Sequence, residues 1–157
     1  MGLFTVLAGL FGCNKAPGSA RHTVSDICEV SVSCGHMNRC YGYCFRIRRE
    51  NGVWLFDAEC FTHDREAETV FEDRAVNGGD IEELLGILER NDSIAYAENY
   101  KKPIKLPFQV LDDTSYNFSL TFSDGSRYTA GTVQKETEEF FYRLAEKYGD
   151  TDEVSRD

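Results

Sequence analysis

Two segments of this chain share one grammar, and that grammar restricts the fold more than any other feature. Residues 43–60 and 116–128 alternate apolar with polar side chains and run through a turn dipeptide, Asn51-Gly52 in the first and Asp124-Gly125 in the second. Alternation at period two gathers the apolar side chains on one face of a strand. Both central residues of a two-residue type I′ turn need positive φ, which Asn, Asp and Gly tolerate, so both segments read as β-hairpins. A helical stripe follows each of them: Ile81, Leu84, Leu85 and Leu88 after the first, and Thr137, Phe140, Phe141, Leu144 and Tyr148 after the second. Asp80 fits as the N-cap of the first helix, with Glu83 three residues on. Ser93 fits as the cap of a further short helix, and Gly149 as the stop of the last. The expected class is therefore α+β, an antiparallel β-meander sheet with helices packed on one face, built from two hairpin-plus-helix units.

Turn length fixes register, and register fixes which side chains can meet. A two-residue turn at Asn51-Gly52 pairs residues whose numbers sum to 103. Phe45 then faces Ala58, Ile47 faces Phe56 and Tyr43 faces Cys60 on the core side. On the reverse side Arg46 meets Asp57, Cys44 meets Glu59 and Arg48 meets Leu55, so opposite charges coincide where water is expected. The same rule applied to Asp124-Gly125 pairs Leu120 with Thr129, Phe118 with Gly131 and Phe122 with Arg127. Residues 27–33 alternate and should pair with 40–49, while 68–76 read as a charged edge strand that discourages pairing with other chains.

A length of 157 residues suits one domain with a substantial core, placed at 23–149. Residues 1–22 form an N-terminal segment and tether, and 150–157 an acidic tail. The formal charge of -10, from 27 acidic and 17 basic residues, repels phosphates and argues against nucleic acid as a partner. Its plainest meaning is solubility. No apolar run approaches the roughly 20 residues a spanning helix requires.

At the N-terminus, Leu3, Phe4, Leu7, Leu10 and Phe11 fall on one helical face, which could graze a bilayer as a peripheral contact through residues 3–11. Leu10-Phe11-Gly12-Cys13 also has the outline of a bacterial lipobox, which would make Cys13 a lipidation site on an exported protein. Phe11 is bulky for that pattern, and no Lys or Arg precedes the apolar stretch as a signal peptide needs. A cytoplasmic location is the expectation, with a lipoprotein anchored at Cys13 as the alternative.

Six cysteines with nearby histidines raise metal or redox chemistry. The spacing Cys34-x5-Cys40-x3-Cys44 lacks the C-x2-C knuckle that presents two thiolates from one tight turn. Parity further separates Cys60 from Cys44. What survives is a zinc or redox site on Cys34, His36, Cys40 and Cys44 around the break at residues 35–38, against the plainer reading of cysteines as small strand residues. Neither G-x-S-x-G nor a phosphate-binding glycine loop occurs, and no catalytic residue is assigned.

The string SYNFSLTFSDGSRYTAG followed by EEFFYRLAEKYG, with YCFRIRRENGVWLFDAECF as a second match, resembles a group of small bacterial proteins with no assigned activity. Some of these also begin with an MGLF-type N-terminus. The resemblance supports the fold and implies no activity, cofactor or site residue. With one sheet face left to water, the expected function is a non-catalytic binding or protein-interaction module for a protein or small ligand. Arg46, Arg48, Asp57 and Glu59 are its candidate binding residues. A metal-binding or redox protein is the alternative, and zinc the cofactor that alternative would take.

Overall fold

The computed structural model describes residues 22–35, 42–61, 67–101 and 114–149. After a short 3-10 turn at Val24–Asp26, the chain forms β1 (Ile27–Gly35), β2 (Gly42–Glu50), β3 (Val53–Phe61) and β4 (Ala67–Ala75). Helices α1 (Gly78–Arg90) and α2 (Ser93–Glu98) follow, then β5 (Ser115–Phe122), β6 (Arg127–Ala130) and α3 (Lys135–Gly149). Six antiparallel strands lie in the order β4-β3-β2-β1-β5-β6. The first four form a meander. The chain then passes through α1 and α2 and adds the second hairpin on the far side of β1, so β1 is flanked on both sides.

The first hairpin has the expected register throughout, with Tyr43 opposite Cys60, Phe45 opposite Ala58, Ile47 opposite Phe56 and Arg46 opposite Asp57. Asn51 (φ 49°) and Gly52 (φ 83°) are both left-handed, as a type I′ turn demands. The second hairpin departs by one residue. Phe118 faces Ala130, Leu120 faces Tyr128 and Thr121 faces Arg127.

A longer loop causes the difference. Gly125 N–H donates to Phe122 O at 2.9 Å, Phe122 N–H donates to Ser126 O at 2.9 Å, and Gly125 alone has positive φ, 83°. That is a type I turn closed by a left-handed glycine, a three-residue loop in place of a two-residue one. Asp124 Oδ1 accepts Ser126 N–H at 2.9 Å and fixes it. The slip sends Tyr128 to the helix side and Arg127 and Thr129 to the opposite face.

The three helices among the described residues cover one face of the sheet. Val30, Val32, Phe45, Ile47, Phe56, Phe118 and Leu120 project into the interface and are fully buried, meeting Leu84, Ile87, Leu88, Phe140 and Phe141 from α1 and α3. Ion pairs tie the two long helices together end to end: Arg90 with Glu136, Arg143 with Glu83 at 2.7 Å, and Lys147 with Asp80 at 2.7 Å. Gly42 is required by a close approach. A Cβ there would stand 2.9 Å from the Cys34 carbonyl oxygen on β1.

Two caps also differ from expectation. Asn77, not Asp80, is the N-cap of α1, its side chain accepting from Asp80 N–H at 2.9 Å. Asp80 instead sits in the first turn, where its carboxylate accepts from Asn77 Nδ2 at 2.8 Å and from Tyr148 Oη and Lys147 Nζ of α3 at 2.7 Å. α2 is preceded by Asp92 as N-cap, while Ser93 is its first residue and is buried against Gln134. Asn77→Ala is expected to lower stability by about 1 kcal/mol, with Asn77→Ser close to wild type, as urea unfolding would show.

Candidate binding face

Period-two geometry sends the other half of the strand side chains to the face opposite the helices. Three rows cross it. Thr121, Glu29, Arg48 and Leu55 form one, Ser119, Ser31, Arg46 and Asp57 the next, and Asn117, Ser33, Cys44 and Glu59 the third, with Val70 of β4 beside Glu59. Arg127 stands beside Thr121 at the β6 end. The short side chains of Ser31, Ser33 and Cys44 leave a groove of about 470 Å³, rimmed by Glu29, Glu59, Glu72, Val70, Asn117 and Arg127.

Arg46, Arg48 and Asp57, three of the four expected binding residues, meet in one ion-pair network. Asp57 Oδ2 accepts from Arg46 Nε at 2.8 Å and Nη2 at 2.7 Å, and also from Arg48. Its Oδ1 accepts the backbone N–H of Asp73 at 2.9 Å. Arg48 spends the rest of its donors on Glu50, at 2.6 Å, and Asp73.

A break in the β3–β4 ladder makes this network, because pairing shifts between Phe56 and Ala58 and leaves Glu72 and Asp73 across from Asp57. Asp73 takes φ 58°, a left-handed conformation unusual for a residue with a Cβ. Burial alone would raise the Asp57 pKa. The hydrogen bonds from Arg48, the Asp73 N–H and Arg46 outweigh it and hold the carboxyl below its ordinary value. Bonds to Asp57 and then Glu50 push the Arg48 guanidinium in the opposite direction.

Glu59 lies across from Cys44 on the groove wall. Burial, and after it the Glu59 charge, raises the Cys44 thiol pKa, which keeps the sulfur protonated at neutral pH. Cys34 is on the other side of the sheet, buried beneath α3 and likewise raised by burial. Tyr43, next to it across the β1–β2 ladder, donates to Glu138 of α3 at 2.5 Å.

The pairing of Ser33 with Cys44 and of Cys34 with Tyr43 sends the Cys34 and Cys44 side chains to opposite faces. A ligand set containing both needs that ladder to open. His36 and Cys40 lie outside the described residues, as do Cys13 and the amphipathic residues 3–11. Among the described residues no group of three or more metal-ligating side chains converges, and no helix is long and apolar enough to cross a membrane.

Glu29, Ser31, Ser33, Val70 and Glu72 also line the groove without having been expected there, and Arg127 of the second hairpin was expected on the wrong face. The two-residue turn assumed there placed it opposite Phe122 on the core face, and a charge on that face was the available signal that the register was wrong. Its Nε donates to Ser119 Oγ at 2.5 Å, and Ser119 is itself buried. No family model, curated protein or solved structure matches this chain.

Proposed function

We propose that the protein is a non-catalytic binding module that receives a protein or peptide partner on the open face of its sheet. One observation carries the reading: three helices cover one face, while the other holds a groove of about 470 Å³ edged by polar and charged side chains. The groove's chemistry suits recognition. Its central carboxylate is neutralised by two arginines, its thiol is held protonated, and its serines and Asn117 offer donors and acceptors along the strands. The rigid ladder beneath lowers the entropy lost on docking.

Peptides selected from a random-sequence display library provide the test, compared on wild type and on Ser33→Trp, which fills the groove with a residue that strands accept. Selected peptides are expected to bind Ser33→Trp about tenfold or more weakly. Binders indifferent to that substitution, or protected amides confined to the helix side, would overturn the reading.

A further inference from the structure

The groove on the open face holds more negative charge than it matches internally. Four carboxylates line it, those of Glu29, Asp57, Glu59 and Glu72, against the guanidiniums of Arg46 and Arg127. Asp57 is matched by Arg46 and Arg48, and Arg48 also serves Glu50 and Asp73, so Glu29, Glu59 and Glu72 have no ion pair with any described residue. The helix side differs. There Asp80, Glu83 and Glu136 each hold a cation, from Lys147, Arg143 and Arg90. A second feature coincides with the unmatched charge: Val70, 60% exposed, stands beside Glu59 on the groove wall, with Glu72 two residues further along β4.

We propose that the partner received on this face is a basic segment of another protein, bound in extended form across the strands. Two arginine or lysine side chains on its inward side reach the unmatched carboxylates, one at Glu59 and Glu72 and the other at Glu29. The proposal rests on the open face being the binding face and names the chemistry of its occupant. A long basic side chain satisfies both features of the β3–β4 wall, because its aliphatic stem covers Val70 while its charged head stays beside Glu59 and Glu72. Arginine suits this position better than lysine, since its planar fork of donors matches carboxylate geometry.

Ladder pairing sets the spacing of the two bases. Glu29 is level with Arg48 and Leu55, and Glu59 lies two strands over and four residues further along β3. With strands about 4.8 Å apart and about 3.4 Å per residue, the two glutamates are roughly 17 Å apart. Residues i and i+4 of an extended peptide share a face about 13 Å apart, and the length of two long side chains covers the remainder. The line joining the glutamates passes over Arg46, the partner of Ser31 on one side and Asp57 on the other. An inward base at i+2 would therefore meet a like charge. Arg127, two strands beyond Glu29, opposes further bases at that end. The recognised pattern is basic at i and i+4 and non-basic at i+2, which attraction to net charge alone does not produce.

Fluorescence anisotropy at about 50 mM salt tests it, with labelled nonapeptides of alternating serine and threonine into which arginines are placed. The first peptide has arginine at its third and seventh residues, the second has two adjacent arginines, which point to opposite faces of a strand, and the third adds an arginine at the fifth residue of the first. The first is expected to bind, the second about threefold or more weakly, and the third no more tightly than the first despite its extra charge. On the protein, Glu59→Gln with Glu72→Gln should weaken the first peptide about fivefold, and Glu29→Gln about threefold. Glu82→Gln with Glu146→Gln removes as much charge from exposed positions of α1 and α3 and should leave binding unchanged. An unchanged melting temperature for each variant would show the fold intact. No binding of the first peptide, equal binding of the first two, or equal losses from the groove and helix variants would overturn the proposal. Library-selected peptides that Ser33→Trp blocks but that lack the two bases would keep the binding-face reading and discard the basic partner, so the two fail separately.

Discussion

Replacing Phe45 with alanine should remove about 4 kcal/mol of folding free energy and lower the melting temperature by roughly 15 °C. Phe45 is fully buried in β2, with its ring stacked on Phe141 of α3 at 6.0 Å and on Tyr43 at 4.9 Å, and its edges against Tyr142 and Phe56. Burial of an aromatic ring contributes through the area removed from water and again through dispersion with close neighbours. The void left by its loss cannot close easily. β2 is held on both sides, by β1 and by β3, and α3 is tied to α1 at both ends. The cost therefore belongs in the upper part of the range for large-to-small core changes. Urea unfolding of Phe45→Ala, Phe141→Ala and the double variant would also give their coupling, expected near 1 kcal/mol from the ring stack. A loss below about 1.5 kcal/mol for Phe45→Ala would mean that the site repacks and that the aromatic cluster does not hold the sheet to α3.

The first hairpin was legible in the sequence, while the second turn, the α1 cap and the contacts between distant segments were not. Asn51-Gly52 fixed a turn whose two residues both have positive φ, and from it followed every pair in the first hairpin, including Arg46 with Asp57. Asp124-Gly125 looks like the same signal but serves a three-residue loop, because Asp124 can stay right-handed and use its carboxylate on Ser126 N–H while Gly125 alone turns left-handed. One residue of slip hid Arg127.

The cap of α1 failed for a related reason. Asn77 followed by two glycines reads as loop punctuation, yet the glycines are the first two helical residues and Asn77 is the cap. Placement of the second hairpin beside β1, not beyond β4, depends on contacts between residues nearly ninety positions apart, such as Val32 with Phe118, and no local pattern encodes it. The same holds for the Arg48 contact with Asp73, which exists only because β4 bulges and Asp73 takes a left-handed backbone.

That bulge gives Asp57 an importance its strand position does not announce, and Asp57→Ala should destabilise the protein by about 2–3 kcal/mol at neutral pH. The carboxylate is 13% exposed and Arg48 16%, so most of the desolvation of both groups is already incurred, while Arg46, at 48%, keeps much of its water and adds less. Removing Asp57 leaves two like charges adjacent and the Asp73 N–H without its acceptor, in a bulge whose left-handed residue is itself unfavourable. Asp57→Asn retains an acceptor for that N–H but not the charge, and should fall between Asp57→Ala and wild type.

The dependence on pH separates ion pairing from packing. Because the folded state holds the Asp57 pKa below its ordinary 3.8, its contribution is fully present above the unfolded pKa and is lost as the pH falls through the lower folded value. Neither variant titrates at this position. The stability difference between wild type and Asp57→Asn should therefore be constant above about pH 5.5 and shrink steadily below about pH 4. Guanidinium chloride screens charges, so urea unfolding across that range is the appropriate measurement. A difference unchanged from neutral to acid pH would assign the role of Asp57 to its shape alone. A difference that widened on acidification would mean that its folded pKa is raised, and the two arginines would not then be the groups that hold the bulge in place.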